Sequence, residues 1–77
     1  MIRKALEKLN EQQLKYTKTM STLIACAKNN GAQLEFEKKT GKLRGYLECL
    51  KDMEIISQAE LRSLYLWFVL EDRSNAC

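Results

Sequence analysis

The stretch "IISQAELRSLYLWFVL", residues 55–70, decides how this chain folds, because it specifies both the start of a helix and an excess of apolar surface. Ser57 followed three positions later by Glu60 predicts a capping box, in which each side chain accepts a hydrogen bond from a free backbone amide of the first turn. Apolar residues on either side of this box occupy the positions of a hydrophobic staple. The pattern therefore predicts a helix over residues 58–72.

The same helix carries more apolar side chains than one packed face requires. At 100° per residue, Leu64 and Phe68 share one face, which predicts contact with the rest of the core. Leu66 and Leu70 lie on the opposite side, with Trp67 on the flank. Because exposed apolar patches with an aromatic residue mark association surfaces, we expect Leu66, Trp67 and Leu70 to form an interface with a second copy or another protein. The open alternative is a three-helix monomer that buries Leu66 and Leu70 within itself.

An amphipathic pattern predicts a long first helix over residues 2–29. Its apolar positions alternate in spacings of four and three, as in a heptad seam, with Gln13 as the single polar interruption. These positions are Ile2, Leu6, Leu9, Tyr16, Met20, Leu23 and Ala27. Gly31 can then close the helix in the left-handed conformation.

The segment before the capping box predicts a second helix over residues 34–54, because its leucines recur with helical spacing. Residues 32–42 leave alternatives open, since a loop or a short β-arm fits the sequence there as well. The whole chain, residues 1–77, is thus predicted to be one small all-α domain with three helices: a long first helix and a helical hairpin. A core of this size is marginal, so we expect association into a larger helical bundle.

The junction of the second and third helices, "LECLKDMEIISQAELRSL" at residues 47–64, resembles the SHOCT-type short helical hairpin. The positions that fit its pattern are Leu47, Leu50, Lys51, Asp52, Ile55, Ile56, Ser57, Glu60 and Leu61. Glu54 stands where that family usually has glycine. The resemblance implies an association module rather than a known chemistry.

Charge is distributed unevenly, since residues 1–44 have a net charge of +6 and residues 45–77 a net charge of −3. Four cations fall within seven residues of the basic part, and such a stretch predicts nucleic acid as the alternative partner of a small regulator. These cations are Lys38, Lys39, Lys42 and Arg44. Nucleic acid is the less favoured partner, because the exposed face of the third helix turns apolar and acidic where base reading needs polar and basic side chains.

The residue types that catalysis and metal binding require are sparse. The chain has no histidine, the commonest general base and zinc ligand, so we expect no enzyme activity, catalytic residue, metal, cofactor or small-molecule substrate. Cys26, Cys49 and Cys77 are odd in number and widely spaced, which favours reduced thiols. Neither a signal peptide nor an apolar run of about 20 residues is visible, which predicts a cytoplasmic protein without membrane contact.

Overall fold

The computed structural model describes residues 2–70 of the chain, and these residues fold into four α-helices. The helices are α1 (Ile2–Glu7), α2 (Glu11–Asn29), α3 (Gln33–Asp52) and α4 (Gln58–Leu70). The prediction of an all-α chain is confirmed, and residues 33–42 are helical rather than a loop or a β-arm. α3 and α4 start at or next to the predicted residue, whereas the predicted end at residue 72 lies outside the described residues.

The predicted single helix over residues 2–29 is wrong, because the structure contains two helices there. α1 ends in tight turns, in which the amides of Lys8 and Leu9 each donate to a carbonyl three residues back. Asn10 then caps α2: its side-chain oxygen accepts from the Gln13 amide at 2.8 Å, and the Gln13 side chain accepts from the Asn10 amide at 2.9 Å. Gln13, the residue that interrupts the apolar heptad, is therefore the second half of a capping box.

α4 lies at the centre of the fold, since α1, α2 and α3 each pack against it. Its residues Leu64 and Phe68 are almost completely buried. They belong to one apolar cluster that consists of Ala5, Leu9, Met20, Ile24, Leu43, Leu47, Leu50, Ile56, Leu61, Leu64 and Phe68. Every helix contributes to this cluster, and removal of its apolar surface from water is the main term that stabilises the fold.

The buried face of α2 is rotated away from the predicted seam. Tyr16 and Leu23 are 38% and 41% exposed, whereas Thr17 and Ser21 are fully buried. Both hydroxyls have backbone acceptors: Thr17 Oγ1 donates to carbonyls of its own helix at 3.0 Å, and Ser21 Oγ donates to the Phe68 carbonyl of α4 at 2.8 Å. Because each hydroxyl is hydrogen-bonded, small polar side chains can occupy a face where α2 and α4 come close together.

Two Schellman turns close α2 and α3. After α2, Gly31 has a φ of 69°, and the amide of Ala32 donates to a carbonyl five residues back at 2.9 Å. After α3, Glu54 has a φ of 62°, and the amide of Ile55 makes the equivalent hydrogen bond at 2.9 Å. The left-handed conformation is unfavourable for a residue with a Cβ atom, so Glu54 carries backbone strain that Gly31 does not.

Candidate interaction surfaces

The side of α4 that faces away from the core carries two large apolar side chains. Leu66 is 47% exposed and Leu70 is 66% exposed, and the two lie one helical turn apart. They form an exposed row with the half-buried Trp67 beside them. We refer to Leu66, Trp67 and Leu70 as the outer strip. The structure thus places the predicted interface residues on neighbouring parts of one helix surface.

The Trp67 side chain is half-buried, so part of it lies in the outer strip and part packs against the core. Its indole meets the Phe68 ring edge-on, with ring centroids 5.3 Å apart and an interplanar angle of 77°. It also packs against the buried cluster, so less apolar surface is free than the sequence pattern indicated. α1 turns back onto α4 and packs against that helix as well.

A shallow groove borders the outer strip on the side of α3. About 200 Å³ is lined by Arg44, Gln58, Leu61, Arg62, Tyr65 and Leu66. Both guanidinium groups are on exposed residues, which places positive charge beside the apolar surface of Leu66. Such an arrangement favours a partner that presents carboxylates next to apolar groups.

The basic stretch predicted to contact nucleic acid does not form one patch. Lys38 and Lys42 are exposed one turn apart on α3, whereas Lys39 is half-buried. Arg44 lies about 120° around the helix axis from Lys38, given 3.6 residues per turn. Its guanidinium is already paired with Glu48, with the Nε and Oε1 atoms 3.2 Å apart. Lys39 is only about 60° from Lys42 around the helix axis, so the structure brings together three of the four predicted cations, and Arg44 is apart from them.

The predicted capping box at the start of α4 is confirmed, and an ion pair extends it. The Ser57 amide donates to the Glu60 carboxylate at 2.8 Å, and the Glu60 amide donates to Ser57 Oγ at 3.1 Å. Lys8, in the turn after α1, places its Nζ 2.8 Å from the same carboxylate. The hydrogen bond from Lys8, together with those from Ser57, holds the pKa of the Glu60 carboxyl below its ordinary value. This cluster ties α1 to α4.

Tyr46 is a second titratable group whose surroundings change its pKa. Desolvation by burial raises the pKa of the phenol, with smaller contributions from Tyr16 and Cys49. The rings of Tyr16 and Tyr46 lie with their centroids 4.4 Å apart, across the contact between α2 and α3. This ring contact packs α2 against α3.

Metal ligands, membrane-spanning helices and cysteines are the remaining features of residues 2–70 that bear on function. Within residues 2–70, no group of three or more potential metal ligands lies close enough to hold an ion. Each helix in this range is too short or too polar to cross a membrane. Cys49 has a free, exposed thiol, but Cys26 is disulfide-bonded, so the prediction of reduced thiols is wrong for Cys26. Cys77 lies outside the described residues.

Two further apolar side chains are exposed at positions that the sequence pattern did not indicate. Leu34, at the start of α3, is 64% exposed, and Met53, in the turn after α3, is 56% exposed. The exposure of Leu34 could have been predicted from its position, because Leu34 is out of register with the leucines that recur at helical spacing along α3. Leu34 is as exposed as Leu70 but lies on another helix, which makes it a matched reference for the outer strip.

No family model matches the chain, and no curated protein or solved structure matches it either. The resemblance of residues 47–64 to the SHOCT-type hairpin therefore stays a prediction. The surfaces described above are the basis on which a function can be proposed.

Proposed function

We propose that this protein acts by protein–protein association, without enzyme activity or a cofactor, and that the outer strip joins two copies into a homodimer. The observation that carries the proposal is the exposure of Leu66 and Leu70 on a helix whose other sides are packed. Leaving two leucines in water is unfavourable, and burying them against a partner removes that cost. The SHOCT-like hairpin of residues 47–64 and association into a larger bundle belong to the same proposal.

A second copy is the partner that the chemistry of the strip favours. In a two-fold symmetric dimer each surface meets its own copy, so two leucines per chain give four buried leucines per dimer. The acidic half of the chain, residues 45–77, can supply carboxylates to Arg62 of the other copy, whereas Arg44 is paired with Glu48 of its own chain. Self-association would also support a core that is small for a stable fold.

The expected dimer is weak. Burying the exposed part of each leucine contributes about 1–2 kcal/mol, so four leucines contribute about 4–8 kcal/mol. The loss of translational and rotational freedom opposes this with an estimated 4 kcal/mol or more. The remaining free energy corresponds to association that depends strongly on protein concentration. Mass measurements must therefore extend to high concentration.

The test is the solution mass by light scattering over a concentration series, with and without reductant so that thiols cannot imitate association. We expect the mass to approach twice 9.0 kDa at high concentration for the wild type. Leu70→Glu and Leu66→Glu should each shift the series to the monomer mass, because a carboxylate would have to be buried at the dimer centre. Leu34→Glu, equally exposed on α3, should leave the mass unchanged.

Two results would contradict the proposal. A wild type that stays at the monomer mass throughout the series has no self-association to explain. A dimer that survives Leu66→Glu and Leu70→Glu but is lost in Leu34→Glu would use α3 instead of the outer strip.

A second candidate function is contact with nucleic acid, which the position of Lys38, Lys39 and Lys42 on one side of α3 favours. Lys39→Glu combined with Lys42→Glu should then abolish salt-sensitive retention on DNA. Lys15→Glu combined with Lys18→Glu makes the same charge change on exposed positions of α2 and serves as the control. Equal retention of both double variants would exclude the basic stretch as the contact.

The cytoplasm is the location we propose for this association. The argument from membrane segments and signals stands as a sequence-based prediction. The odd number of cysteines no longer supports this location, because Cys26 is disulfide-bonded and such bonds are rare in the cytosol.

A further inference from the structure

The turn between α1 and α2 is short and its sequence is compatible with helix. Residues 8–10 connect the two helices, and residues 2–29 contain neither glycine nor proline. The apolar heptad keeps its phase across the turn, from Leu6 through Leu9 to Tyr16. The same residues can therefore form either the observed turn or one unbroken helix.

The turned-back form is held by local and by tertiary contacts. The local contact is the capping box of Asn10 and Gln13, which replaces the hydrogen bonds that an unbroken helix would make. The tertiary contact is the seat of α1 on α4, where Ala5 is buried and a narrow groove of about 110 Å³ lies along the boundary. Lys4, Ala5, Ala59, Glu60 and Ser63 line that groove.

This seat does not require that α1 and α4 belong to the same chain. α1 has six residues and packs mainly against α4, so the seat can be filled by the α1 of another copy with the same contacts. Of the three α4 residues that line the groove, Ala59, Glu60 and Ser63, the last lies one helical turn from Leu66 and Trp67 of the outer strip. An exchanged α1 would thus bring the second copy next to Leu66.

We propose that α1 is an exchangeable arm: residues 2–29 straighten into one helix, and the α1 of each copy occupies the α4 seat of the other. This inference deepens the proposed self-association and rests on it. Exchange adds helical hydrogen bonds at the hinge and re-forms the α1 contacts between the copies, and it gives up the capping box of Asn10 and the present packing of Leu9 in the turn. Straightening also moves Tyr16 and Leu23, both exposed here, onto one extended seam with α1.

The decisive variant is Glu11→Pro. Glu11 is the first residue of α2, where proline is favoured, and Asn10 before it has φ −76° and ψ 177°, a conformation that precedes proline readily. In an unbroken helix the same proline would remove a hydrogen bond and clash with the preceding turn. We expect the closed chain to fold normally and the association constant to fall by about 100-fold for each of the two hinges.

Two further variants complete the test. Glu11→Ala removes the same carboxylate without restricting the backbone, and should leave the association constant close to that of the wild type. Asn10→Ala removes the cap that holds the turn, and should raise the association constant by about fivefold per hinge, or about 25-fold per dimer. The measurement is the mass series described above, with circular dichroism to check that each variant is helical.

The outcomes separate this inference from the outer strip. Loss of the dimer in Glu11→Pro, with the dimer kept in Leu66→Glu, supports exchange and overturns the strip as the interface. Loss in Leu66→Glu, with the dimer kept in Glu11→Pro, overturns exchange. If Glu11→Pro does not fold, Asn10→Ala becomes the test of the exchange, and an unchanged association constant for that variant overturns the exchange. A monomeric wild type and a monomeric Asn10→Ala overturn both.

Discussion

Residues 2–70 contain two capping boxes that are nearly alike, one at the start of α2 and one at the start of α4. In each box, the side chain of the cap residue accepts a hydrogen bond from the backbone amide three residues later, and the side chain of that later residue accepts one from the backbone amide of the cap residue. The donor–acceptor distances lie between 2.8 and 3.1 Å. Each is preceded by a buried apolar residue, Leu9 in one case and Ile56 in the other. The sequence pattern predicts the second and hides the first.

The difference lies in what surrounds each cap. Before Ser57 the leucine spacing of α3 has ended, so the capping signal stands alone. Around Asn10 the apolar heptad continues without interruption except at Gln13, and the heptad favours a helix through the cap. Apolar periodicity therefore predicts which side chains favour burial, whereas the position of the neighbour that buries them decides whether a helix continues. If α2 continued toward the N-terminus before residue 11, residues 2–10 would not fold back along α4. The turn at residues 8–10 instead brings α1 onto α4.

The largest expected effect comes from the apolar residue before each cap. Ile56→Ala and Leu9→Ala should each lower the free energy of unfolding by about 3 kcal/mol, because both side chains lie in the buried cluster. Urea unfolding at low protein concentration measures this, with Leu34→Ala, which should cost less than about 0.5 kcal/mol, as the exposed reference. A loss below about 1 kcal/mol for Leu9→Ala would mean that α1 is not docked as described.

The next effect concerns the caps themselves. Ser57→Ala and Asn10→Ala should each lower the free energy of unfolding by about 1 kcal/mol, since each leaves an amide of the first turn without its acceptor. Ser57→Asp and Asn10→Ser retain a cap and should stay close to the wild type in the same urea experiment. If Asn10→Ala were neutral in a strictly monomeric sample, the break in the heptad would depend on packing alone.

A smaller effect, of opposite sign, is expected in the turn before the second cap. Glu54→Gly should raise the free energy of unfolding by about 0.5 kcal/mol, because the relief of the left-handed strain exceeds the entropy cost of glycine. Glu54→Ala keeps the Cβ atom and should give no such gain. A loss of stability in Glu54→Gly would show that the carboxylate makes a contribution larger than the strain.

The smallest effect is the pH dependence of the contact between Lys8, in the turn after α1, and Glu60 in the cap of α4. Hydrogen bonds from Lys8 and Ser57 lower the pKa of the Glu60 carboxyl in the folded chain, so the folded state binds this proton less readily than the unfolded state. The resulting stability is present above the ordinary pKa of a glutamate and is lost as the pH falls through the lowered folded value. Glu60→Gln should therefore show a shallower decrease in the urea midpoint between neutral and acidic pH than the wild type. An equally steep decrease would assign the acid sensitivity to other carboxyl groups.

Local side-chain chemistry was sufficient to predict a good part of the molecule. The all-α class, the span of α3 and the cap at the start of α4 depend on interactions between residues a few positions apart, and such interactions are visible in the sequence. The exposure of Leu66 and Leu70 could be predicted for the same reason, since residues four apart share one face of any helix.

Tertiary contacts decided the rest. The helix is interrupted at Asn10 because this turn lets α1 pack on α4 and bury Ala5, which one continuous helix over residues 2–29 could not do within the same chain. α2 buries Thr17 and Ser21 rather than Tyr16 and Leu23, because both hydroxyls find acceptors there: Ser21 donates to the Phe68 carbonyl of α4, and Thr17 donates to carbonyls of its own helix. Apolar spacing measures only how a side chain prefers to leave water, and which face is covered depends on the shape and the acceptors of a neighbour that is distant in sequence.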